Sequence, residues 1–366
     1  MNSLSTIRSK RLITARESRC LTQKELSEAT GISQSRISKF ESDERDLVIP
    51  DSELERIAQV LEYPISFFDK TIDNHNVHLD FRKGKTVSDK TLKKITSIVN
   101  RTRFEINSLI DKIEIEAVII PENIFSDKPY DAAKQLRKLW KIPPGPIINL
   151  INEIEHQSIL LMAMKFLDQD KFSACAIEVR KFQPLIIYNS NHPIDRIRFS
   201  IAHELGHIFL HHYGEEHDFS IPFEFKEKYR EDQANAFASE FLMPEDEIKK
   251  DLIGLTVDKL LKLKFKWRVS MAALLERAKR LEIIDQKKYT NFRKEFSSRH
   301  WLMNEPGELP IEEPLILKDI IEIYQSDLGF TKNEISEAIG LLPKEFNSIY
   351  LGKVPLSIVQ SKKSIP

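Results

Sequence analysis

RIRFSIAHELGH, residues 196–207, is the stretch on which the reading of this chain turns. His203 and His207 are four apart, so on a helix both imidazoles face one side, a turn from each other. That arrangement presents two nitrogens to a single tetrahedral zinc ion. Glu204 lies about 100° round the helix from His203. It is placed to reach a water held by the metal rather than the metal itself, and its predicted role is general base, then proton donor to a leaving amine. Phe199, Ile201, Ala202 and Ile208–Leu210 make the helix largely apolar. The helix is therefore predicted to be buried, and two buried histidines beside a carboxylate need a partner to satisfy them.

A catalytic zinc takes three protein ligands and keeps one position for water. The metzincin extension fails, because Leu210 and Tyr213 stand where glycine and histidine would be required. A second predicted helix, Arg230–Phe241, carries Glu231 and Asn235 one turn apart on one face. Glu231 would complete a His-His-Glu site, and Asn235 would hydrogen-bond His203 or Glu231 from behind. His217, Asp218, Asp232 and Glu240 compete for the third position. His211 and His212, at the end of the first helix, read as surface residues that satisfy the helix dipole. Tyr213 and Tyr229 read as packing residues rather than carbonyl polarisers.

Several pieces in order give a family resemblance over residues 78–300. They are Phe81-Arg82, Leu136-Arg137 with Trp140, Gly145-Pro146-Ile147, the stretch from Arg198 to His207, and Glu231-xx-Ala-Asn235 running on to Met243-Pro244. Ser270-xx-Ala273-Leu274-xx-Arg277-Ala278 and Glu305-Pro306 follow. This region resembles the ImmA/IrrE family of metallopeptidase-like proteins. The resemblance implies a zincin-like fold with His203, His207 and Glu231 as zinc ligands and Glu204 as the catalytic carboxylate. It also implies cleavage of a partner repressor as the activity. One departure is Phe241, where the family usually has leucine.

The N-terminal region has a separate logic. Thr22 with Glu25 forms a capping-box pattern opening a helix to Ala29, Gly31 breaks it, and Ser33 opens a second helix to Phe40. Pro50-Asp51 starts another, with Leu54, Ile57, Ala58 and Leu61 as its apolar stripe. Residues 7–69 resemble the Xre/Cro-type helix-turn-helix family, which makes Ser33–Phe40 the recognition helix. Gln34, Ser35, Arg36 and Lys39, with Ser33 at the helix start, suit base edges or phosphates, and Gln23 suits a phosphate. Ala29, Ile32, Ile37 and Phe40 are expected in the core. Residues 1–40 carry eight basic and three acidic side chains, and residues 41–69 carry two basic and nine acidic. A basic face before an acidic rear is the footprint of an oriented DNA binder. Xre-type domains bind palindromes, so a homodimer on double-stranded DNA is what the resemblance implies.

Composition removes other classes. Ten glycines in 366 residues, no two of them two apart, leave no dinucleotide or Walker-type phosphate loop. Only Cys20 and Cys175 are present, so neither a disulfide framework nor a cysteine zinc cluster can form. The N-terminus lacks an apolar signal core and no apolar run approaches a membrane span, so the expected location is the cytoplasm, with no membrane partner.

The expected fold class is mainly α with a small β-sheet (α+β). An all-α helix-turn-helix domain over 1–70 is followed by a linker over 71–80, a zincin-like peptidase domain over 81–300, and a C-terminal helical segment over 301–366. Strands are predicted at Ile159–Phe166, Phe172–Val179 and Leu185–Asn189. In the C-terminal segment, residues 305–345 hold ten acidic and three basic side chains, which suits packing or oligomerisation rather than DNA. The expected function is a DNA-binding regulator carrying a zinc-dependent endopeptidase that acts on a repressor or antitoxin-like protein. The alternative is a transcription factor or antitoxin that uses the zincin-like domain for sensing or partner binding without proteolysis.

Overall fold

The computed structural model describes residues 4–42, 46–69, 88–116, 118, 128–166, 172–180, 183–212, 223–302, 304–352 and 356–357. By internal contacts the chain divides into two compact units. One comprises Met1–Glu116, Ile177–Gln183 and Ile316–Pro366; the other comprises Ala117–Ala176 and Pro184–Leu315. The expected linker 71–80 lies outside the described residues.

The first unit opens with β1 (Leu4–Arg8) and α1 (Ser9–Ser18), followed by α2 (Gln23–Thr30) and α3 (Gln34–Ser42). Then come β2 (Asp46–Pro50), α4 (Asp51–Leu61), α5 (Ser66–Asp69) and the long α6 (Asp89–Ile110). The capping box at Thr22 and Glu25 is present, and Gly31 closes α2 in the left-handed region at φ 68°. Beside the expected helices lies an antiparallel ribbon of β1 and β2, in which Thr6 faces Val48 and Ile7 faces Leu47. Buried Ile7 and Ile49 join Leu12, Leu26, Ile37, Phe40, Leu54, Ile57, Leu61 and Phe67 in one core. Ala29 corrects the expected core: it is exposed, and the buried stripe of α2 is Leu26 with Thr30, one turn apart. Thr30 is tolerated inside because its hydroxyl donates to the Leu26 carbonyl.

The C-terminal helices α15 (Ile316–Ser326), α16 (Lys332–Ala338) and α17 (Pro343–Phe346) complete this unit. A second capping box, Thr331 with Glu334, opens α16. Gly340, at φ 76°, turns the chain where a Cβ would stand 3.0 Å from the Phe67 ring. Glu345 pairs with Arg19 and Arg101 at 2.7 Å each, and the Tyr350 hydroxyl donates to Glu105 at 3.0 Å. These C-terminal helices thus pack against α6 and the end of α1.

The second unit holds α7 (Pro129–Leu139), α8 (Leu150–Glu155), β3 (Leu160–Lys165), the first residues of β4 (Ala174–Arg180), β5 (Gln183–Asn189) from Pro184 on, and α9 (Ile194–His207). β3 runs parallel to β5, with Leu161 facing Ile186. A π-helical turn (Ile208–His212) extends α9, and α10 (Phe223–Leu242), α11 (Glu245–Leu252), α12 (Val257–Trp267), α13 (Met271–Arg280) and α14 (Gln286–Ser298) follow. The core gathers Leu136, Trp140, Leu161, Ile186, Ile201, Leu205, Phe209, Phe237 and Phe241. Trp140 meets Phe209 and Phe241 edge-on, so the larger Phe241 is accommodated by ring packing.

Candidate functional site

The mixed strand-and-helix unit is built around α9. Ile197, Ile201, Ala202 and Leu205 are buried, as are His203, Glu204 and His207. α10 crosses it closely: a Cβ on Gly206 would meet the Ala234 Cα and the Phe237 ring at 3.1 Å. Glycine at that position lets the two backbones approach, which brings Glu231 of α10 to the two histidines. Glu231 lies 3.4 Å from Nε2 of His203 and 3.2 Å from Nε2 of His207, and the two Nε2 atoms are 3.0 Å apart. The three ligand atoms all fall within 4.8 Å of one another. Two imidazole nitrogens and one carboxylate oxygen, converging with no cysteine, are a donor set that fits zinc. Burial raises the Glu231 pKa, but the histidines' hydrogen bonds and charges outweigh that and hold it well below the usual carboxylate range.

The surroundings fix these groups. Nδ1 of His203 hydrogen-bonds the Asn235 side-chain oxygen at 3.2 Å, one turn along α10 from Glu231. Glu204 accepts from the Ala176 backbone N–H on β4 at 3.0 Å, so strand and helix orient the carboxylate together. Nε2 of His211 meets the Arg230 carbonyl at 3.3 Å, just before Glu231, which gives that histidine a backbone partner rather than a place in the triad. Among the competing ligands, Asp232 is exposed and Glu240 is buried in an ion pair with Arg277. Tyr229 is 40% exposed. Tyr213, His217 and Asp218 lie outside the described residues.

Two further carboxylates hold the frame, and neither stood out as such in the sequence. Glu312 accepts from the Leu150 N–H at 2.7 Å and the Ile151 N–H at 3.2 Å, and it pairs with Arg198 of α9. Glu305 accepts from Met271 and Ala272 at 2.6 and 2.9 Å, opening α13, and pairs with Lys264 at 3.2 Å. Each carboxylate therefore closes a helix N-terminus and neutralises a buried cation. Glu305 belongs to a quoted motif; no spacing rule connects either residue to its partners.

In the first unit, Ser33, Gln34, Ser35, Arg36 and Lys39 are all exposed along α3, while Ile37 and Phe40 face inward. Gln23 is half-buried and donates to Glu41 at 2.8 Å; Glu41 in turn takes a bidentate contact from Arg16 at 2.6 and 2.8 Å. Arg36 pairs with Glu53 of α4 at 2.7 Å.

Comparison with known families agrees with this division. Residues 12–68 match the helix-turn-helix family model, and residues 154–279 match the IrrE N-terminal-like domain, a peptidase family. The chain therefore carries an Xre-type helix-turn-helix region followed by an IrrE/ImmA-like region, a regulator architecture with a protease-like domain. No curated protein matches the chain. Among the described residues no helix is long and apolar enough to cross a membrane.

Proposed function

We propose that this chain is a cytoplasmic, DNA-binding transcriptional regulator whose second domain is a zinc-dependent endopeptidase acting on a repressor or antitoxin-like protein. The DNA-reading domain is placed at 1–70 and the peptidase domain within 81–300, with α6 packing in the unit of the former. The observation that carries the peptidase reading is the convergence of His203, His207 and Glu231 beside a buried Glu204. Zinc held by those three residues would supply carbonyl polarisation and acidification of water. Glu204, oriented by the Ala176 N–H, takes up the proton of the attacking water and returns it to the leaving amine. Asn235 accepts from His203 Nδ1–H, which leaves Nε2 of that ring to face the metal position. Glu231 stays ionised, as its depressed pKa requires.

The DNA reading is supported by the exposed row Ser33, Gln34, Ser35, Arg36 and Lys39. These side chains would meet base edges and phosphates in the major groove, with Gln23 at a phosphate, and a palindromic site would be bound by a homodimer.

A Glu204→Gln chain tests the reading. It keeps zinc and DNA binding, fails to cleave, and on affinity purification retains a protein that the wild-type chain cuts. If the wild-type zinc-loaded protein cuts nothing that Glu204→Gln retains, while repression of its own promoter is intact in both, the domain senses or binds rather than cleaves.

A further inference from the structure

TQKELSEATGI, residues 22–32, has a counterpart within the same compact unit: TKNEISEAIGL, residues 331–341. Six of the eleven positions are identical without a gap, and two more exchange leucine and isoleucine. The backbones agree as well. Each stretch opens on a capping box, Thr22 with Glu25 and Thr331 with Glu334. Left-handed residues stand at two matching places: Cys20 at φ 61° with Gly329 at 72°, and Gly31 at 68° with Gly340 at 76°. The first of each pair turns the chain out of α1 or α15, and the second turns it after α2 or α16. Non-glycine residues enter that region seldom, so the match at Cys20 is not a matter of composition.

Burial keeps the same register. Leu12, Leu26, Ile32 and Ile37 are buried, and so are Ile321, Ile335, Leu341 and Phe346 at the matching positions. Thus α15, α16, and α17 with its π-helical continuation Asn347–Leu351 repeat α1, α2 and α3.

The reading edge is what differs. Where the first copy has Gln23, Ser33, Gln34, Arg36 and Lys39, the second has Lys332, Leu342, Pro343, Glu345 and Ser348. Residues 9–42 carry seven basic and four acidic side chains, residues 316–351 three and six. A net negative module is repelled by phosphates. Glu345, the counterpart of exposed Arg36, faces protein instead, 2.7 Å from both Arg19 and Arg101. Arg19 also donates to the carbonyls of Leu61 and Glu62, so this contact ties the end of α4 to the α1–α2 turn.

We propose that residues 316–351 are a second helix-turn-helix of the same kind, whose reading helix binds protein rather than DNA, its partner being the α1–α2 turn and α6. The contrast with the first copy rests on the DNA-binding reading of α3. The repeat lies outside residues 12–68, the matched helix-turn-helix region.

Two experiments on the full chain test this. In the first, residues 331–341 are replaced by the sequence of 22–32, and a second chain carries those same eleven residues in shuffled order. The exchanged chain is expected to keep amide protection in α1 and α6 within about tenfold of wild type, and the shuffled chain to lose it. Loss in both, or retention in both, overturns the inference. In the second, a fluorescein-labelled duplex of random sequence is titrated by anisotropy across a range of salt. Arg36→Ala/Lys39→Ala is compared with Lys332→Ala/Lys344→Ala, which removes two exposed cations from the second copy. Each phosphate contact contributes about 0.9 to the slope of log affinity against log salt. The first pair should weaken binding, with a slope shallower by roughly 1 to 2, and the second should match wild type. Equal weakening by the second pair would show that this copy reads DNA, overturning the inference while the DNA reading stands. Absence of salt-dependent binding by wild type overturns the DNA reading and with it the contrast.

Discussion

Replacing Glu345 by Gln should loosen the first unit at neutral pH while leaving the second untouched. Glu345 lies between the guanidinium groups of Arg19 and Arg101, with its side chain 19% exposed. Burial raises its pKa, but the two arginines more than offset this and hold it down at about 2, against an ordinary 4.5. A gap of roughly 2 to 3 units corresponds to about 3 kcal/mol. Loss of one partner from a buried pair falls in the same range, about 3–5 kcal/mol. Because the folded-state pKa is depressed, the contribution is complete above pH 4.5 and disappears as pH falls from there through about 2. The tryptophans, at 140, 267 and 301, all belong to the second unit, so their fluorescence follows that unit alone. Amide exchange in α1 and α6 follows the first. At pH 7, Glu345→Gln should speed exchange in α1 and α6 by on the order of 100-fold, with the urea midpoint of tryptophan fluorescence unchanged. The wild-type advantage, followed by circular dichroism, should hold from pH 7 to 5 and narrow below. Equal exchange rates at pH 7, or an advantage that grows on acidification, would refute the reasoning.

Three other substitutions probe separate parts of the molecule. Glu312→Gln leaves Arg198 buried without its charged partner, and the urea midpoint of tryptophan fluorescence should fall in keeping with a loss of about 3–5 kcal/mol. Asn235→Ala removes the bond to His203 Nδ1 and should weaken zinc affinity about 10–100-fold in competition with a chromophoric chelator, while Asn235→Asp retains it. Glu53→Gln releases Arg36 from its ion pair. DNA affinity by anisotropy should rise by the worth of an exposed pair, about 0.2–1 kcal/mol; weaker binding would show that Arg36 does not reach the duplex.

The parts of the fold that the sequence reveals are those whose signals are local. The capping box at Thr22, the left-handed Gly31 and the four-residue spacing of His203 and His207 each depend on neighbours within a turn, so pattern and geometry coincide. The β1–β2 ribbon is less visible, because LSTIR and DLVIP are five-residue runs some forty positions apart whose pairing no short window contains. Ala29 was misplaced because Thr30, polar in composition, is buried by satisfying its hydroxyl within its own helix. In the candidate site, His203, Glu204 and His207 of HELGH were legible from their spacing, and Glu231, which the fold brings to the two histidines, came from a second helical face. The Ala176 N–H on Glu204 was not legible, since a backbone donor leaves no trace in residue type. Glu312 leaves no signal in the sequence, because its partners, Leu150, Ile151 and Arg198, lie more than a hundred positions away.

The most direct test of the central claim is the zinc content of the purified, zinc-reconstituted and desalted chain, measured by mass spectrometry for wild type, Glu204→Gln and His203→Ala. The account predicts one zinc per chain in wild type, one in Glu204→Gln and none in His203→Ala. Wild type without zinc, or His203→Ala that still holds a full equivalent, would contradict it.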